Sequence, residues 1–176
     1  ERIGVEAFVT DDVKQIETAD KIIFPGVGEA STAMTYLKER KLDQLIVSLQ
    51  QPVLGICLGM QLMCSFSEEN NTPCLEIFDE RVEKFSSNNQ ELKIPQIGWN
   101  NIVDLKTDLF RGVSDEAYCY FVHGYYAALG KHTIATANYG LAYSAALKKG
   151  NFYGVQFHPE KSAAVGEQII KNFIEL

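Results

Sequence analysis

A chain of 176 residues, 46% of them hydrophobic, is long enough to bury a substantial core and short enough for a single domain. Its 16 Lys and Arg against 23 Asp and Glu leave a formal charge of −7, which argues against nucleic acid or an anionic membrane as a principal partner. No transmembrane run is visible, and the cysteines at 57, 64, 74 and 119 show neither C-x-x-C nor zinc spacing, so the expectation is a cytoplasmic chain of free thiols without metal or organic cofactor.

Taken in chain order, residues 5–9 and 21–24 read as strands, with a short polar helical stretch over 11–18 between them. Residues 30–50 read as helical, broken near Lys41-Leu42, and 53–56 as a buried strand leading into a helix over 58–66. The polar stretches at 68–73 and 86–91 read as surface loops. Strands then dominate, at 81–85, 96–105, 117–129, 133–137, 141–147 and 152–157, before helix returns at 163–174. The pattern is α/β without internal repeats. It predicts a central parallel sheet flanked by helices, with antiparallel additions from the middle of the chain.

The strand at 53–56 runs into Gly55-Ile-Cys-Leu-Gly59, a G-x-C-x-G turn followed directly by an amphipathic segment. This is the cysteine form of the nucleophile elbow, in which a tight strand-to-helix turn presents a nucleophile at the edge of a sheet. A helix N-terminus next to the thiol would lower its pKa toward a reactive thiolate. A buried packing cysteine is the competing reading. Cys64, on the same predicted helix, reads as core.

Near the C-terminus, Gly154-Val-Gln-Phe-His-Pro-Glu-Lys-Ser162 ends an apolar strand on His158 with Glu160 two residues on. A thiol attacking a carbonyl needs a base that later returns a proton to the leaving amine, and histidine titrates in the right range. Residues two apart on an extended segment share a face, so Glu160 can reach the far ring nitrogen and fix the tautomer. A surface His–Glu pair is the alternative. Ile22-Ile-Phe-Pro-Gly-Val-Gly28 supplies a third element, a glycine-flanked loop whose backbone N–H can face an oxyanion. As a dinucleotide loop the signal is weak, because Ser31 stands where the third glycine belongs, and an ordinary strand-to-helix turn is the other competing reading.

In order and separation these runs resemble the class I, triad-type glutamine amidotransferases. Pro95-Gln-Ile-Gly-Trp-Asn100 and Phe121-Val-His-Gly-Tyr125 resemble a narrower branch of that family, the glutaminase subunits that serve a cyclase in histidine biosynthesis. The resemblance covers essentially the whole chain from Val5 to Phe173. It implies a flavodoxin-like, doubly wound, mostly parallel sheet with helices on both faces and antiparallel strand additions. It implies hydrolysis of L-glutamine through a thioester on Cys57, with His158 as base and acid and Glu160 orienting it. The backbone N–H groups of Val27 and Leu58 would form the oxyanion hole. Gly26, Gln61, Glu69, His123, Gly124 and Tyr125 would surround the substrate, Gln61 offering its amide to the α-substituents and Glu69 pairing with the α-ammonium. The partner implied is a (β/α)8-barrel cyclase subunit, in a heterodimer, with Trp99, Asn100 and Lys161 as candidates for the docking face. For Trp99, a core position is the competing reading.

Two features depart from the family pattern. The opening strand and helix with a D-Y-G-x-G-N motif are absent, so the chain reads as N-terminally truncated, starting at the end of that helix. Position 124 is Gly where relatives commonly carry Ser or Thr. Two other assignments remain open from the residues: the amidotransferase subunit of a different synthase, and a catalytically silent, partner-binding subunit.

Overall fold

The computed structural model describes residues 3–86 and 92–176. Residues 1–2, expected to belong to a helix end, and most of the polar tip expected at 86–91 lie outside the described residues.

Strand β1 (Ile22–Gly26) lies parallel to β2 (Val53–Cys57), with Ile22 beside Val53 and Gly26 beside Cys57. On the other side of β2 runs β11 (Phe152–Val155), also parallel, with Phe152 beside Val53 and Val155 beside Ile56. β2 is buried along its whole length, as its unbroken apolar sequence requires of a strand covered on both faces. The sheet continues antiparallel through β10 (Ala142–Lys149) to β8 (Tyr125–Ala127) and β5 (Arg81–Lys84), with β9 (Thr133–Asn138) also on β10. The short strands β3 (Phe66–Ser67) and β4 (Thr72–Pro73) close that end. Separately, β6 (Gln96–Asn101) and β7 (Tyr118–His123) form a two-stranded antiparallel ribbon. Gly124 marks the point where the chain leaves the ribbon and enters the main sheet.

Side-chain alternation along β2 sends Val53 into one apolar cluster and Leu54 and Ile56 into another, so the sheet separates two cores. The first core is capped by α2 (Ala30–Glu39), α3 (Leu42–Ser48) and α4 (Leu58–Met63), with Met60, Leu62 and Met63 almost wholly buried. Helix α2 turns Ala30, Met34 and Leu37 inward, one per turn. Lys41, left-handed at φ 57°, breaks it from α3 at the expected place. The second core lies under α5 (Ala163–Glu175), which buries Ile169 and Phe173, the latter edge-on to Tyr153 with ring centroids 6.2 Å apart. Asn172 sits in that apolar face because its amide donates to the carbonyls of Leu109 at 2.9 Å and Arg111 at 2.8 Å.

Three expectations are corrected. Residues 5–9 are not a strand: among the described residues nothing in the sheet pairs with them, and Phe8 and Val9 are exposed. β-branched composition suits a strand but does not supply a partner. A short helix, α1 (Val13–Thr18), follows where helix was expected, its first turn held by the Asp12 carboxylate accepting from Gln15 N–H at 2.9 Å. The elbow helix stops at Met63 rather than 66, because the chain doubles back and Leu75 N–H bonds the Leu62 carbonyl at 2.9 Å. Cys64 therefore caps the helix, fully buried. The 68–73 stretch is a single tight turn at Glu69–Asn71 plus β4, docked on α2, rather than a free loop. Among the described residues no helix is long and apolar enough to cross a membrane.

Candidate active site

The C-terminal ends of β1, β2 and β11 come out side by side, the position where open α/β sheets hold their ligands. β1 delivers Gly26-Val27-Gly28, β2 delivers Cys57, and β11 delivers Gln156 and His158. A cavity of about 160 Å³ opens there, lined by Gly26, Val27, Gly28, Cys57, Leu58, Gln61, Glu69, His123, Gly124 and Tyr125. Nine of these ten residues, all but Gly28, were expected at the site as catalytic, oxyanion or substrate-contacting groups.

Cys57 sits at φ 54°, ψ −111°, a conformation that L-residues seldom adopt and that costs about 1–3 kcal/mol. The strain is held by close packing of α4 on β1 and β2. A Cβ on Gly55 would lie 2.6 Å from Met63 Cε and 2.8 Å from Met60 N, and one on Gly59 would overlap the Phe24 carbonyl oxygen. The two glycines flanking the nucleophile thus let the helix fold back over the strand.

The thiol is not shifted toward the thiolate as expected from the helix end. Burial pushes its pKa up to about 11, and the Glu160 carboxylate adds to the rise. The Leu58 backbone N–H, Gln156 and Lys161 pull the other way and are outweighed. A six-residue helix with a buried first turn supplies too little field to overcome desolvation. In the resting site Cys57 is a neutral thiol 3.7 Å from the Val122 carbonyl, and a base must take its proton.

His158 is buried, and its Nδ1–H donates to Glu160 Oε1 at 2.8 Å, leaving Nε2 as the basic nitrogen. The contact is the one expected, reached by a different backbone route. Glu160 lies in a 3₁₀ turn, Pro159–Lys161, not on an extended segment. The His158 main chain is fixed at both ends: its N–H bonds Tyr120 carbonyl at 2.8 Å, and its carbonyl accepts from Ser162 Oγ at 2.7 Å.

The other walls are equally tied down. Gln61 donates both amide hydrogens, to Tyr125 carbonyl at 2.9 Å and to Gln156 Oε1 at 2.8 Å, so only its carbonyl end remains for a ligand. His123 is buried and its pKa falls to about 4, chiefly by desolvation. Its Nδ1 donates to Tyr125 carbonyl at 2.7 Å. It is therefore a neutral wall, not a second base. Glu69 caps α2, its Oε2 accepting from Ala30 N–H at 2.7 Å. Burial and the carboxylates of Glu69, Glu68 and Glu29 raise the Tyr125 phenol, so the outer wall of the cavity carries negative potential.

Trp99, Asn100 and Lys161 lie outside the cavity. Trp99 is 53% exposed and meets Tyr120 edge-on at 5.9 Å, which excludes the core reading. It shares an outward ribbon face with exposed Ile97 and, across the strand pair, Tyr118 and Tyr120. Asn100 turns to the opposite side, where its amide donates to Asn138 carbonyl at 2.9 Å. Lys161 is exposed, its Nζ 6.0 Å from the Tyr120 ring. Sequence reasoning passed over Gln156, although strand alternation puts it on the same face as His158.

A strained cysteine elbow, a His–Glu pair just after the neighbouring parallel strand and a glycine loop on the other side define an amide-cleaving site. The chain belongs to the glutamine amidotransferase class-I family, whose profile matches residues 3–176. Among its relatives, the imidazole glycerol phosphate synthase subunit HisH of Bacteroides fragilis is 57% identical over 175 residues, covering 99% of this chain and 89% of that one. HisH of Haemophilus influenzae is 47% identical over 176 residues, covering 99% and 87%. Of solved structures, a glutamine amidotransferase superposes with a TM-score of 0.72 at 17% identity, covering 99% of this chain and 87% of that one. A Thermotoga maritima glutamine amidotransferase gives 0.61 at 20%, covering 91% and 64%. At such identities the superpositions speak to the fold alone.

Proposed function

We propose that this chain is the glutamine-hydrolysing subunit of an imidazole glycerol phosphate synthase. It supplies ammonia to a (β/α)8-barrel cyclase that makes imidazole glycerol phosphate and aminoimidazole carboxamide ribonucleotide in histidine biosynthesis. The observation that carries this reading is the buried Cys57 thiol on its strained elbow, opening on one cavity, with the hydrogen-bonded His158–Glu160 pair in the turn that follows the neighbouring strand β11. Relatives 57% and 47% identical over nearly the whole chain support the choice of synthase.

Glutamine enters with its α-ammonium toward the anionic wall of Glu69 and with the Gln61 carbonyl as acceptor. His158 Nε2 takes the Cys57 proton as the sulfur attacks the side-chain amide carbon. The oxyanion is met by the N–H groups of Val27 and Leu58, each worth on the order of 3 kcal/mol in such sites. His158 then protonates the departing nitrogen, ammonia leaves, and water attacks the glutamyl thioester with His158 again as base. Glu160 holds the imidazole in the tautomer that presents Nε2. The Trp99 face of the β6–β7 ribbon, with Lys161 at its border, docks the cyclase in a heterodimer, while Asn100 braces the ribbon from behind. We place the pair in the cytoplasm, where a reducing milieu keeps the nucleophilic thiol free.

The test is glutamate release from glutamine by the chain alone and with a cyclase subunit carrying its nucleotide ligand. Activity that rises with the cyclase and disappears in Cys57→Ala supports the reading. Activity indifferent to that cyclase points to another synthase, and silence from a folded chain in both conditions points to a partner-binding subunit.

A further inference from the structure

The Gln156 side chain is completely buried directly behind the nucleophile, beyond the last paired residue of β11. Its main chain is pinned by a 2.8 Å bond from its N–H to the Ala145 carbonyl. Its carboxamide spans two groups: Oε1 lies 2.8 Å from Gln61 Nε2, and Nε2 lies 3.7 Å from Cys57 Sγ. The direction of this bridge follows from chemistry. The Tyr125 carbonyl can only accept, so the Gln61 atom beside it is the NH2 group. The same NH2 faces Gln156, which must therefore present its oxygen to Gln61 and its own NH2 to the sulfur. A carbonyl on the rim of the cavity thus sets the orientation of a donor two side chains away.

We infer that Gln156 is a catalytic residue that donates to the Cys57 sulfur, supporting the thiolate as it forms and tying the nucleophile to the wall of the substrate cavity through Gln61. The inference rests on Cys57 being the nucleophile. A donor fixed before reaction costs no reorganisation when charge develops, and in a buried site it is worth more than in water. The direction agrees with the electrostatics of the site, where Gln156 and the Leu58 N–H oppose the rise that burial imposes on the thiol. The bridge also gives Gln61 a second duty: a ligand that shifts Gln61 or Tyr125 disturbs the group holding the sulfur.

The test is the pH profile of Cys57 alkylation by iodoacetamide, read by peptide mass spectrometry so that Cys64, Cys74 and Cys119 are scored separately. The charged groups that act on the thiol are Glu160 and Lys161, and His123, itself acted on by His158, shares the cavity with it. Gln156→Met leaves them all in place while removing the donor at similar volume. The expected result is a midpoint about one unit higher, roughly tenfold less thiolate at a given pH, with kcat lowered by a similar factor. Gln61→Met/Gln156→Met removes both ends of the bridge and leaves no orphaned amide; it is the variant to use if the single substitution does not fold, and it is expected to shift the midpoint equally. A folded Gln156→Met or double variant with an unchanged midpoint and kcat within about twofold of the parent overturns the inference. Glutaminase activity surviving in Cys57→Ala is a separate failure, of the nucleophile assignment itself.

Discussion

Replacing Gly59 by Ala sets two effects of opposite sign against each other. On helix propensity alone the change favours α4 by about 1 kcal/mol. Packing decides otherwise, because a Cβ there overlaps the Phe24 carbonyl oxygen and lies 3.0 Å from Phe24 C and 3.3 Å from Pro25 C. These are backbone atoms in a parallel strand pair, so no rotamer change relieves the clash. Restoring an ordinary C···O separation of about 3.3 Å moves the elbow helix off β1 by roughly an ångström. Overpacking of this kind costs about 1–3 kcal/mol, and an ångström of misplacement at the nucleophile costs about 10²-fold in rate. Gly124→Ala is the internal control for stability, since its Cβ would meet only Pro95 Cβ at 3.8 Å. Urea unfolding and cyclase-stimulated glutamate release, measured on both variants, check the reasoning. If Gly59→Ala is as stable as the parent and keeps activity within about twofold, the account of the elbow as a glycine-dependent packing is wrong.

Glu160→Ala is expected to lower kcat by about 10–100-fold with little change in KM, less than the loss seen at a buried triad carboxylate, because the Glu160 side chain is 50% exposed; equal kcat would remove its orienting role. Acid should destabilise the chain through His123. The unfolded chain binds a proton near 6.5 and the folded residue only near 4, so the unfolded state holds more protons between those values and stability falls with pH across that window. The contribution at pH 5 is about 2 kcal/mol, and in His123→Gln the loss of urea stability between pH 7 and pH 5 should shrink by that amount. An unchanged loss would contradict the buried, neutral assignment. Trp99→Ala should leave the thermal melt of the isolated chain nearly unchanged while weakening cyclase binding by about 2 kcal/mol, roughly 30-fold in Kd by calorimetry; unaltered affinity would take the β6–β7 face out of the interface.

How far the sequence could be read follows from how local each feature is. The β2–α4 elbow is written in consecutive residues, an apolar run, two glycines and an amphipathic turn, and it was legible. The Lys41 break between α2 and α3 was legible for the same reason. The apolar composition of residues 5–9 was equally strand-like, yet pairing is a property of neighbours, and among the described residues no strand pairs with them. The early end of α4 depends on Leu75 returning to cap Leu62, which nothing in the local sequence signals. The His158–Glu160 contact survived a wrong backbone assumption because both an extended segment and a tight turn bring residues two apart within reach. Gln156 was missed since its role exists only in the register of β11 against β2, which seats its amide beside Cys57. The thiol pKa was misjudged because burial, the larger influence, is not visible in a motif.

The central claim is that Cys57 carries the glutamyl group between release of ammonia and attack by water. Acid quenching of the chain–cyclase complex during turnover of glutamine, followed by peptide mass spectrometry, tests it directly. A glutamyl adduct on the Cys57 peptide, formed with release of ammonia, is expected, and it is absent in Cys57→Ala. Turnover at the parent rate in Cys57→Ala, or an adduct on Cys64, Cys74 or Cys119 instead, would contradict it.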